Sequence, residues 1–177
     1  MEKKSLDFIE LITSRKSTRN FIFEKLKKET IENILECGRW APSGLNNQPW
    51  YVCIAEHPSL KKMLGQFTKY GGILESAYYD LVIFLELDKT YDRVKDLQAI
   101  GAFMENILLG AHALGVGAVW IGEILKNKEK VNEIFKLSTN KYELMGVIAL
   151  GKIDEQMEAK KEKKRRRRSL DDFVKWY

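Results

Sequence analysis

Two short polar stretches carry the residue types that could do chemistry. The first, Arg15-Lys16-Ser17-Thr18-Arg19-Asn20-Phe21, places Arg15, Lys16, Ser17 and Arg19 within five residues. Arginine offers a planar fork of donors, lysine a point charge and serine a hydroxyl, a set suited to a dianionic phosphate. Charge-assisted hydrogen bonds contribute roughly 1.5–3 kcal/mol each, so three give a gross ~5–9 kcal/mol against about 8 for micromolar binding. The entropic cost of binding offsets part of that sum. A solvated basic turn is the competing reading of the same residues. The second stretch, Ala41-Pro42-Ser43-Gly44-Leu45-Asn46-Asn47-Gln48-Pro49-Trp50, bends the chain and offers amides and a hydroxyl to whatever lies beside it. An ordinary helix-to-strand turn has the same composition.

Other constellations fall short. Cys53 and His57 are four apart, but the chain has two histidines and two cysteines and Cys53 sits in an alternating run, so a metal site is not expected. Cys37 and Cys53 read as buried, inert thiols. Gly115-Val116-Gly117 lacks the strand before it and the third glycine of a dinucleotide fingerprint, and position 120 is Trp. These glycines read instead as a helix cap that allows close packing. His112 falls in a dense apolar stretch and reads as a packed core histidine.

The elements that would position these residues follow from hydrophobic spacing. Residues 5–14 place Leu6, Phe8, Ile9, Leu11 and Ile12 at helical intervals. Ile31, Ile34, Leu35 and Gly38 mark a second helix ending by Pro42, and Trp50 opens a strand to Ala55 that reads as buried. Pro58 begins a short helix with Leu60, Met63 and Leu64, and Gly71-Gly72 reads as a loop. Leu81-Val82-Ile83-Phe84-Leu85 is apolar on both faces and therefore central. A helix over 97–114, a strand over 118–121, a helix over 129–135 and a strand over 142–150 complete an α+β pattern, a sheet covered by helices. The helix over 97–114 is apolar nearly all round, which points to burial in a core or between subunits.

With 177 residues, 45% hydrophobic and 31% charged, the chain reads as a single domain over 1–177. Asp7 and Glu10 interrupt the apolar N-terminal stretch, which excludes a signal-peptide pattern, and the longest apolar run is too short to span a bilayer. A cytoplasmic location is expected. The net charge of +5 is local in origin: residues 160–168 hold eight basic residues and one acid, a net +7, leaving −2 for the rest. A slightly acidic body argues against nucleic-acid binding over the fold.

Taken together, the basic segment, the helix and the Ala-Pro-Ser-x-x-Asn-x-Gln-Pro-Trp order resemble the nitroreductase family of FMN-dependent oxidoreductases. Asn106-Ile107-Leu108-Leu109-Gly110-Ala111-His112-Ala113-Leu114-Gly115-Val116-Gly117 resembles that family's central helix, and Trp120-Ile121-Gly122 its following strand. The resemblance runs from about Ile12 to about Leu170. It implies an α+β fold with a central mixed or antiparallel sheet flanked by helices, and an intertwined homodimer with FMN at the interface. It also implies NADH or NADPH as electron donor, a small-molecule acceptor such as a nitroaromatic or quinone, and a ping-pong mechanism.

By the same resemblance, Arg15, Lys16, Ser17 and Arg19 hold the phosphate and ring edge, while Pro42, Ser43, Gly44 and Asn46 of the second subunit line the flavin. Gln48 and Trp50 brace that loop. Trp120, Ile121 and Gly122 follow the flavin edge, with the Gly122 N–H facing N5, and no catalytic side chain is required beyond the flavin. A basic-x-basic pair before Leu170, at Arg165 and Arg167, closes the tail 160–177 over the phosphate. The remaining basic residues of 160–168 exceed the family's pattern. Two further departures stand out. Lys69-Tyr70-Gly71 stands where larger members carry an Asn toward the flavin pyrimidine, and the short link from Glu86 to Asp96 leaves little chain for the lid that a deiodinase uses. Dehalogenation or flavin fragmentation on the same fold, a flavin-binding protein without turnover, and nucleic-acid binding through residues 160–168 are the alternative readings.

Overall fold

A computed structural model describes residues 8–160 and 165–177. Residues 5–7 of the expected first helix and 161–164 of the basic tract lie outside the described residues. The elements are α1 (Phe8–Ser14), β1 (Phe21–Ile22), α2 (Lys28–Arg39), β2 (Trp50–Ala55), α3 (Pro58–Gly65), α4 (Gly71–Ser76), β3 (Tyr79–Glu86), α5 (Arg93–Ala113), β4 (Gly117–Ile121), α6 (Lys128–Ile134), β5 (Tyr142–Ile153) and α7 (Glu155–Lys160).

Among the described residues every strand pairing is antiparallel, in the order β1-β5-β3-β2, with β4 also paired to β5. β5 is the axis of the sheet. One of its edges meets β3 from Tyr142 to Leu150; the other meets β4 from Val147 to Gly151 and then β1 at Lys152 and Ile153. The period of two in β3 sorts its side chains between two apolar layers. Leu81, Ile83 and Leu85 join Ile31 and Ile34 of α2 and Phe103, Met104 and Ile107 of α5. Val82 and Phe84 join Leu64 of α3, Leu74 of α4 and Val131 of α6 on the opposite face. The fold is thus α+β, as expected.

Several local readings are corrected. β2 is an edge strand, with Tyr51 and Ile54 exposed, because it pairs with β3 alone. Cys37 and Cys53 are half-buried. Gly71-Gly72 opens helix α4 and is not a loop. A Cβ on Gly71 would lie 2.5 Å from the Gly65 carbonyl oxygen, so glycine there permits the contact between α3 and α4. His57 caps α3, its ring nitrogen accepting the Ser59 N–H at 3.3 Å, with Pro58 in the first turn. At the end of α5, Gly115 adopts φ +71° and closes the helix as the sequence suggested.

Candidate functional site

The basic segment leaves α1 and is pinned at Thr18, a buried residue whose N–H donates to the Ala118 carbonyl of β4 at 2.9 Å. Just before it, Arg15 reaches α5, where its Nη2 meets Glu105 Oε1 at 3.2 Å. Arg15 Nε is buried and has no acceptor among the described residues. A buried donor left unpaired costs about 1–3 kcal/mol, which an acceptor from outside the chain would relieve. Arg165 lies beside it. Its guanidinium donates to the carbonyls of Thr13 at 2.7 Å, Ser14 at 3.3 Å and Arg15, closing the C-terminal turn of α1. Beneath them, Ser14 Oγ and His112 Nε2 are 2.9 Å apart. Burial, and then the charges of Arg15, Arg165 and Lys16, hold the His112 imidazole below its usual range. The donor set of an anion site is therefore present, and the orphaned Arg15 Nε fits the phosphate of the expected cofactor.

Two expected members stand less close to this cluster. The Arg19 side chain is exposed and turns to the Ser17 carbonyl at 3.3 Å, while the Arg19 and Asn20 N–H groups both hold Glu158 of α7 at 3.0 Å. Arg167 is exposed and donates to the neighbouring Arg166 carbonyl at 3.1 Å. Glu158 was not legible as a partner of this segment. Its carboxylate fastens α7, and with it the start of the basic tail, beside the grip.

The second group is the loop between α2 and β2. Leu45, Asn46 and Gln48 all have positive φ, at 54°, 55° and 47°. Non-glycine residues in that region carry about 1–3 kcal/mol of strain each. Ser43 Oγ accepts the Gln48 N–H at 3.1 Å, and Gln48 Nε2 returns to the Asn46 carbonyl at 3.3 Å and side-chain oxygen at 3.2 Å. Trp50 stacks on Phe103 of α5 with ring centroids 4.9 Å apart. Gln48 and Trp50 thus stand where a brace would. Pro42 is exposed and Gly44 packs against Tyr91.

The third group follows β4. Ile121 is buried and Trp120 is 40% exposed, its indole lying over Gly146. Gly122 begins a 3-10 turn in which Glu123 Oε2 accepts from Thr68 Oγ1 at 2.9 Å and from the Lys69 N–H at 3.0 Å. Lys126, then the Lys69 N–H and Thr68, hold the Glu123 carboxyl down to about 2. Lys69, at the position without an Asn, sets its ammonium over the Tyr70 ring at 5.1 Å.

α5 joins the first two groups. Asp96 in its first turn holds the loop through Asn47, and His112 in its last turn holds Ser14. Sixteen residues separate them, about 24 Å along a helix, although Arg15 reaches partway back to Glu105. Grip and loop therefore stand toward opposite ends of one element. Among the described residues no helix is long and apolar enough to cross a membrane.

Comparison with known proteins agrees with this architecture. The model of the nitroreductase family matches residues 12–71 and 66–152. An Archaeoglobus fulgidus protein named as a NADH dehydrogenase/NAD(P)H nitroreductase is 34% identical over 132 residues, 73% of this chain and 74% of that one. A Bacillus subtilis protein named as a NAD(P)H nitroreductase is 27% identical over 171 residues, 86% and 87% of the two chains. Among solved structures, a Desulfovibrio desulfuricans protein described as a nitroreductase in complex with FMN superposes with a TM-score of 0.86 at 33% identity, covering 98% of this chain and 96% of that one.

Proposed function

The chain belongs to the nitroreductase family, and from that membership and the geometry above we propose that it is a flavoenzyme. In this reading it binds FMN and moves a hydride from NADH or NADPH to an oxidised small molecule, a nitroaromatic, a quinone or a compound of that kind. The observation that carries the reading is the buried, acceptorless Arg15 Nε set beside Arg165 and Lys16. When bound, FMN would supply the redox chemistry that links the nicotinamide donor to the acceptor, in a ping-pong order.

The chain's own residues then bind, orient and shield. Arg15, Lys16 and Arg165 neutralise the phosphate and the Ser17 hydroxyl donates to it, with Arg19 and Arg167 at its solvent side. The N–H of Gly122 would serve as a fixed dipole toward the flavin, with Trp120 and Ile121, which precede it on β4, along the same edge. Pro42, Ser43, Gly44 and Asn46 of the partner subunit line the ring. The separation along α5 supports this last assignment: packing α5 against its copy about a two-fold axis perpendicular to the helix would put the loop end of one chain beside the grip end of the other. Exposed Val94 and Leu97 on α5, and Trp40 and Leu45 near the loop, are the apolar surface that such a homodimer would cover. In this reading the chain is one domain and works in the cytoplasm, where nicotinamide donors are available to it.

A visible spectrum of the purified protein, followed by denaturation and mass identification of what is released, tests the reading. Flavin absorption with FMN released near one per chain is the expected result. A colourless protein that takes up no added FMN would overturn it.

A further inference from the structure

The strained loop of residues 43–48 keeps its shape only if something outside it holds it there. Gln48 and Ser43 close it upon itself, but its tether to the body of the protein is Asn47. Asn47 Nδ2 donates to Asp96 Oδ1 at 2.6 Å and to the Lys89 carbonyl at 2.9 Å. Its own Oδ1 is buried with no partner among the described residues, so the amide is turned to donate at the expense of its acceptor. Asp96 is fully buried. Its second oxygen, Oδ2, accepts the N–H groups of Tyr91 at 2.9 Å and Asp92 at 3.0 Å. One carboxylate thereby fastens both the loop and the short link that leads into α5. The link in turn backs the loop, since a Cβ on Gly44 would fall on the Tyr91 hydroxyl.

Helix capping accounts for only part of Asp96: Oδ2 takes the N–H of the N-cap residue Asp92, but Oδ1 goes to the loop. The N-cap of α5 is Asp92, whose side chain accepts the Lys95 N–H at 3.0 Å. Asp96 lies one turn further in, where its carboxylate is spent on the link and the loop. We propose that Asp96, acting through Asn47 and Tyr91, is the positioning residue that pre-forms the ring-side wall of the flavin site. The short β3–α5 link is then a buttress for residues 43–48. This rests on the flavin reading.

The test separates the two ideas. Asn47→Ala removes the tether while leaving the backbone bonds of Asp96 intact, so it keeps the question open to measurement if Asp96→Asn fails to fold. FMN is titrated into apo wild type, Asn47→Ala, Asp96→Asn and Arg15→Ala, following flavin fluorescence, and visible circular dichroism is recorded at saturating FMN. Losing the tether should weaken FMN by about tenfold, the scale of one buried hydrogen bond, and should change the dichroism of the bound ring. Arg15→Ala should weaken FMN yet keep the wild-type dichroism, because it acts at the phosphate. An Asn47→Ala protein with wild-type affinity and dichroism would overturn the buttress alone. A wild type that binds no FMN would overturn the flavin reading, and the buttress with it.

Discussion

The guanidinium of Arg165 donates to the main-chain oxygen of Arg15, 150 residues earlier in the chain. The contact draws the basic tail onto the end of α1 and brings a second guanidinium to the segment of Arg15, whose own Nη2 meets Glu105. Arg165 uses Nη1 and Nη2 on carbonyls, and its remaining donors, with no acceptor among the described residues, can meet a phosphate oxygen.

Arg165→Ala should therefore weaken FMN by about ten- to a hundredfold, the scale of one charge-assisted hydrogen bond. Arg167→Ala, at an exposed side chain bonded to its neighbour's carbonyl, should weaken it by less than about fivefold. Arg15→Ala should be the most severe and give colourless protein on purification. Titration of apo protein with FMN ranks the three, and equal losses for Arg165 and Arg167 would mean that the tail engages the phosphate in another register.

His112 makes the apo protein sensitive to acid. Its pKa lies below the ordinary 6.5 because of burial and the cations Arg15, Arg165 and Lys16. As pH falls below about 6.5, the unfolded chain takes up the proton first, so stability drops through that window until the folded pKa is reached and then levels. His112→Gln keeps a partner for Ser14 Oγ and should flatten that limb in urea unfolding of the apo protein across pH. Inorganic phosphate should shrink the wild-type slope by countering the three cations. A slope unchanged in His112→Gln would assign it to another group.

Lys61 and Asp80 are buried together in the layer of α3 and β3, both fully inaccessible. Lys61 Nζ donates to the Ala77 carbonyl at 2.5 Å and lies 4.5 Å from the Phe23 ring centre, while neither Asp80 oxygen has a hydrogen-bond partner among the described residues. Burial pushes the Asp80 carboxyl up and the Lys61 ammonium down, and each charge offsets part of the other's shift. Lys61→Met should cost about 3–5 kcal/mol by stranding Asp80, and adding Asp80→Leu should recover much of it. Urea unfolding of the single and double variants reads the coupling; strictly additive losses would show that the two do not interact.

Periodicity made α2, α5 and β3 legible because each puts a continuous apolar stripe on one face or both. Lys61 was invisible to the same reasoning, since a charged residue on a short amphipathic helix reads as solvated until a partner such as Asp80 is seen across the layer. β2 misled for the opposite reason: its alternation is that of a strand, but position at the edge of the sheet is set by pairing, which sequence spacing does not carry. The grip and the loop were both readable as polar segments. Their supports were not, because Asp96 lies 49 residues from Asn47, and Glu158 139 residues from Arg19. Gly71 shows a further limit. A glycine pair signals a loop and a close helix contact equally well, and only the approach of Gly65 decides between them.

Gly146 links the sheet to the candidate site. The register between β3 and β5 shifts at Ile83/Phe84, leaving Met145 as the extra residue of a bulge, and Gly146 follows at φ +152°. A Cβ there would lie 2.8 Å from Trp120 Nε1 and 3.1 Å from Met104 Cε. Gly146→Ala therefore meets backbone strain and overlap at once, an expected loss of about 2–4 kcal/mol. Because the overlap is with Trp120, the indole must move, and FMN affinity should fall along with stability. Adding Trp120→Phe removes Nε1 and should recover the part due to overlap while the φ strain remains. Thermal unfolding and FMN titration of the single and double variants separate the two contributions. A Gly146→Ala protein as stable as wild type would show that the bulge relaxes, and that Trp120 is not held in place by the missing side chain.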